Sequence, residues 1–124
     1  MKKIDKELKK LIEEEAIALA TSYEDGNPHV ILIGFAKVIS QDEILITDNY
    51  MNETFKNLEK NNNVALAICN SDWKNNCIGY ELKGTATYLK LGKWLDFVKK
   101  MPENKGMPAK GAILVKINKI KKVS

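Results

Sequence analysis

Arginine is missing from this 124-residue chain, and all 20 of its basic side chains are lysines. A lysine lacks the planar fork with which a guanidinium grips guanine edges, carboxylates and phosphates. Histidine occurs once, at residue 29. A His-pair metal site or a Ser–His relay would therefore have no spare member, and His29 beside Pro28 reads as a turn residue at a strand start. Neither a G-x-G-x-x-G fingerprint nor a P-loop is present. The two cysteines, Cys69 and Cys77, match no zinc spacing. They read as reduced thiols near the facing ends of a hairpin, with a redox pair as the alternative. A run of about 20 apolar residues, the length of a membrane span, is also lacking. The N-terminal stretch "MKKIDKELKKLIEEE" is charged and periodic, unlike a signal peptide. A cytoplasmic protein without membrane partners is the expectation. With these catalytic sets absent, reactive chemistry would have to come from a bound cofactor, the protein supplying binding and electrostatics.

What is there fits one domain, residues 1–124. A chain of this size buries roughly two thirds of the surface its unfolded form exposes, enough for a core without staples. The net charge is +4. The only basic cluster, "KINKIKKVS" at the end, reads as a solvated strand end, so no nucleic-acid partner is expected.

Ile4, Leu8, Leu11 and Ile12 share one face of an amphipathic helix. Strands follow at 16–23, 29–40 and 43–47, with "EDGNP" (24–28) as a turn. The second is apolar on consecutive residues, which predicts that both faces are covered. Gly34 in its middle suggests a bulge or a close approach by another group. Met51, Phe55 and Leu58 form the stripe of a short helix, with Asn49 and Asn52 as plausible caps. A strand at 64–69, apolar throughout, is expected to be central. A loop at 71–76 and a long strand at 78–89 come next. Trp94, Phe97, Val98 and Met101 line a further helix, and 111–117 closes the chain as a strand. Strands spaced this way favour a small, mainly antiparallel barrel with helices packed outside.

The stretch "DNYMNETFKNLEKNNN" (48–63) carries the strongest functional hint. A helix N-terminus offers unpaired N–H groups and about half a positive charge, and phosphates bind there readily. Thr54, Asn49 and Asn52 could add donors, or could serve only as caps.

Taken with "GFAKV", "GYELKGTATYL" and "MPAKGAILVKINKI", this stretch resembles the pyridoxamine 5'-phosphate oxidase-like, FMN-binding split-barrel proteins from about residue 8 to the end. The resemblance implies a six-stranded antiparallel split β-barrel with peripheral helices. It also implies a homodimer with FMN at its interface, and an oxidoreductase or electron-transfer role toward an unknown partner. It places the flavin phosphate against Asn49, Met51, Asn52, Glu53 and Thr54. The ring system would lie along Gly34 and Phe35, near Thr47 and Asp48, with Trp73 or the segment 105–111 of the second chain reaching it. Two departures stand out. Small members often carry a Lys-Thr pair where this chain has Glu53-Thr54, and a Lys where it has Ile33. At an effective dielectric near 20, a charge pair about 5 Å apart is worth roughly 3 kcal/mol. The departures leave two alternatives: another phosphate-bearing cofactor such as a deazaflavin, or a scaffold that has lost FMN.

Overall fold

A computed structural model describes residues 3–123. Helix α1 (Lys6–Glu14) starts where the Asp5 carboxylate accepts from the Leu8 amide at 2.9 Å. Its stripe of Leu8, Leu11 and Ile12 is buried, as the periodicity predicts. The hairpin β1 (Ile17–Ser22) and β2 (Pro28–Ile33) follows, its turn set by Gly26 at φ +91°. Then come β3 (Ala36–Ser40), β4 (Glu43–Asp48), α2 (Glu53–Lys60), β5 (Asn63–Cys69) and β6 (Gly79–Leu89). Helix α3 (Lys93–Lys100), a single 3-10 turn (Pro102–Asn104) and β7 (Gly111–Lys122) complete the described chain.

Over the described residues the strands form one antiparallel sheet in the order β2-β1-β5-β6-β7-β4-β3. The sheet is an open, split barrel of seven strands, where six were expected. The difference lies in residues 29–40. The chain leaves β2 at Gly34 and Phe35 and re-enters as β3 at the opposite edge of the sheet. Apolar residues continue through the break, so the sequence pattern hides it. The expectation that both faces of this segment are covered also fails, because Val30 and Leu32 are 63% and 76% exposed. Strand β5 is interior to the sheet, yet it alternates: Val64, Leu66 and Ile68 are buried while Ala67 and Cys69 are exposed. Strand β7 runs five residues past the expected 117, because β6 continues beside it as far as the Tyr80–Lys122 pair.

Leu19, Ile44, Ile46, Leu66, Leu82, Ile113, Val115 and Ile117 fill the interior at 1% exposure or less. Full burial of each such side chain contributes about 1.5–3 kcal/mol. Leu95 and Val98 of α3 cap a smaller cluster with Leu45, Ala109 and Ala112. Gly84 sits at the register shift between β6 and β7, where a Cβ would lie 2.1 Å from the Lys116 carbonyl oxygen.

Candidate functional site

The split in the barrel is where a groove forms. Strands β2 and β3 are the two free edges of the sheet, and the loop between β4 and α2 lies beside them. One hollow of about 360 Å³ is lined by His29 of β2 and by Asn52, Glu53 and Thr54 at the mouth of α2. A second of about 220 Å³ is lined by Gly34, Phe35, Thr47, Asn49 and Met107. The two share Ile31, Leu32, Tyr50 and Met51, so they join as one trough along the seam. A larger groove of about 570 Å³ lies between Phe55, Leu58, Tyr88 and Leu91. Its Lys90 ammonium stacks on the Phe55 ring at 4.6 Å, and none of its residues holds an unsatisfied buried polar atom. The seam is the better candidate despite its size.

The loop that shapes the trough is tied down by its own side chains. Asp48, fully buried, accepts from the Met51 amide at 2.8 Å and from the Tyr88 hydroxyl. Burial first, and the Asp48 carboxylate second, push the Tyr88 phenol well above its ordinary pKa, so it remains a donor. Asn49 accepts from the Ala109 amide at 2.9 Å, and its own amide points to Asn104 Oδ1 at 3.4 Å. Asn104 in turn donates to Thr47 Oγ1 at 3.0 Å and to the Val98 carbonyl at 2.9 Å. Asn49 is thus a brace, and the expectation that it caps α2 is corrected. Asn52 stands at the cap position without a side-chain cap bond. The Asn52 side chain thus leaves the first amides of α2 uncapped.

Thr54 lies in the first turn of α2 at 1% exposure, and its hydroxyl has no hydrogen-bond partner among the described residues. Three residues on, Asn57 donates to Thr21 Oγ1 at 3.0 Å and fastens the helix to β1. Gly34 is open in a different sense: a Cβ there would meet nothing within 4 Å. Neither its packing nor its φ calls for glycine.

Of the residues singled out in the sequence, Gly34, Phe35, Thr47, Asn49, Met51, Asn52, Glu53 and Thr54 line the trough. Asp48 lies beneath it. Trp73 does not line it: the indole is on the exposed turn after β5, 51% exposed, with the Lys74 ammonium 5.6 Å from its ring centre. Two residues take places that the sequence reading did not give them. His29 is half-buried on the groove wall, and Lys110 Nζ donates to the Met51 carbonyl at 2.5 Å, bringing a cation to the α2 mouth. No residue spacing marks either position, because His29 is placed by strand pairing and Lys110 by the closure of the loop before β7 on Asp48 and Met51. Among the described residues, no group of three or more His, Cys, Asp or Glu could hold a metal ion. No helix there is long and apolar enough to cross a membrane. Cys69 and Cys77 are exposed and line a shallow apolar hollow on the outer face.

An open antiparallel split barrel with a polar helix mouth at its seam defines the class. The sequence profile of the pyridoxamine 5'-phosphate oxidase family matches residues 4–124, and the chain belongs to that family. An uncharacterized protein of Methanocaldococcus jannaschii is 34% identical over 122 residues, covering 95% of this chain and 79% of its own. Among solved structures, HupZ of Group A Streptococcus superposes with a TM-score of 0.86 at 22% identity, over 97% of this chain and 94% of that one. An FMN-binding protein from Syntrophomonas wolfei does so with a TM-score of 0.78 at 20% identity, over 94% and 83%. At those identities the two structures speak to the fold alone.

Proposed function

We propose that this chain is a flavoprotein domain that binds FMN along the seam, phosphate at the α2 mouth and ring system over Gly34 and Phe35, and passes electrons or hydride to a partner. The observation that carries the reading is the Thr54 hydroxyl, buried and unpartnered in the groove wall at a helix N-terminus. A buried polar atom without a partner costs about 1–3 kcal/mol, and a phosphate oxygen there would remove that cost. The open space above Gly34 suits a flat ring that needs backbone within reach. The residues present therefore fit the group. Thr54 and the amides of α2 would hold the phosphate, Lys110 would add positive charge beside it, and Thr47 and Asn49 would border the ring. Bound FMN would supply hydride and single-electron chemistry.

A homodimer belongs to the same reading. A small barrel fills its interior with side chains, as this one does, so a flavin must lie on an outer groove and needs a second surface to bury it. The exposed Val30 and Leu32 beside the trough supply an apolar face for a second copy, which a two-fold axis would bury twice.

Glu53 favours a second reading. Its carboxylate borders the phosphate groove and repels a dianion more than a singly charged diester, so a deazaflavin is the next choice. The visible spectrum of the purified protein, followed by mass spectrometry of the released ligand, separates the two. Flavin bands, or saturable uptake of added FMN, are the expected outcome. A colourless protein that takes up neither cofactor would leave a scaffold role.

A further inference from the structure

His29 is the one imidazole of the chain, and it stands in the wall of the phosphate groove. It pairs directly with Thr21 across β1 and β2. Residues directly opposite in an antiparallel pair project to the same face, and Thr21 is the inward residue that Asn57 of α2 holds. Strand register therefore carries the imidazole to the side on which α2 lies. Its Nδ1 is 3.3 Å from the Tyr23 hydroxyl, and the two rings meet edge to face at 5.5 Å. That contact engages one ring nitrogen and leaves Nε2 for the groove.

We infer that His29 selects the phosphate: Nε2–H donates to the anion at the α2 mouth, and the imidazolium supplies charge that Glu53 and Ile33 do not. The inference rests on the phosphate site proposed above. The Tyr23 hydroxyl contacts the imidazole directly, and the polar and titratable residues that line the same hollow are Tyr50, Asn52, Glu53 and Thr54. Lys110 stands further along the loop at the Met51 carbonyl, and Glu24 and Asp25 lie on the exposed hairpin turn. A phosphate dianion bound beside the ring would favour its charged form, so phosphate binding takes up a proton. Affinity through His29 then rises as pH falls through the imidazole's titration.

FMN and riboflavin differ by the phosphate alone, so titrating both into wild type and His29→Gln at about pH 6 and about pH 8 tests this by flavin fluorescence. Glutamine keeps an N–H donor but takes no charge. The phosphate itself titrates near pH 6, so the difference between the two proteins at each pH is the decisive quantity. The variant should bind FMN about tenfold more weakly at the lower pH, show little difference at the higher, and bind riboflavin unchanged. In wild type, the single imidazole NMR signal should titrate at higher pH with FMN than with riboflavin. Equal FMN affinity of the two proteins at the lower pH, or an imidazole titration that FMN does not move, overturns the inference and leaves the cofactor site standing. FMN binding no tighter than riboflavin in wild type overturns the phosphate site, and the inference with it. The NMR arm needs no variant, so a substitution that impairs folding does not shelter the inference.

Discussion

Thr54 and Glu53 are neighbours in the chain and oppose each other at the groove. The threonine hydroxyl is a buried donor without a partner, while the glutamate brings negative charge to the same wall. Thr54→Ala should therefore weaken FMN binding about tenfold through loss of a bond to a charged group. Glu53→Lys should tighten it about tenfold or more by replacing repulsion with attraction. Isothermal titration of the two variants measures both, and unchanged affinities would move the phosphate elsewhere. Beneath the groove, Gly111 lies against Tyr88: a Cβ at 111 would fall 2.2 Å from the phenolic oxygen. Gly111→Ala must push the ring off Asp48, leaving a buried carboxylate short of a donor. We expect a loss of about 1–3 kcal/mol in denaturant unfolding. A midpoint equal to wild type would mean that the ring swings aside freely.

Among the elements, β7 is the hub, pairing with β6 on one side and β4 on the other. Gly84 lets it pass β6 at the register shift, where any side chain would meet backbone and not a flexible tip. Gly84→Ala should cost about 1–3 kcal/mol, read as a lower thermal midpoint. The lysines of β7 act on stability as well. Lys116 lies 2.7 Å from Asp42, and Lys122 lies 3.1 Å from Glu7. Hydrogen bonding to Lys116 holds the Asp42 carboxyl below its ordinary 3.8. The Tyr80 hydroxyl, and then Lys122, hold Glu7 below 4.5. A carboxyl with a lowered folded-state pKa takes its proton more readily in the unfolded chain. Its stabilisation is complete above the ordinary carboxylate range and fades as pH falls through the folded-state value. Thermal midpoints should thus hold near neutrality and fall below about pH 4. Asp42→Asn should make that fall shallower, whereas an unaltered acid profile would show the pair to be inconsequential.

At the scale of the molecule, the unsolved surface is the outer face of β1, β2 and β5. Leu32, Ala18, Ala67 and Cys69 line an apolar hollow there, and Val30 is exposed further along β2. Leu32 also lines the trough, so one residue borders both the outer face and the candidate site. A dimer closing this face should be seen by light scattering at micromolar concentration. Leu32→Glu should convert it to monomer and weaken FMN binding together with the dimer. A monomer that binds one FMN per chain tightly would refute the shared site.

The sequence by itself determined the class of fold and singled out the stretch that lines the candidate site. Apolar periodicity is local, so α1 could be read from Leu8, Leu11 and Ile12, and α2 with its polar mouth from residues 48–63. The order of the family's segments did the rest. Three things depended on the tertiary structure. The break at Gly34 and Phe35 was hidden, because an apolar run looks alike whether it stays in one strand or crosses to another edge. The use of Asn49 as a brace depended on Ala109 and Asn104, residues far along the chain that folding brings alongside it. His29 came to the trough by strand register, and Lys110 to the Met51 carbonyl by loop closure; both fix neighbours across the fold and leave no trace in residue spacing.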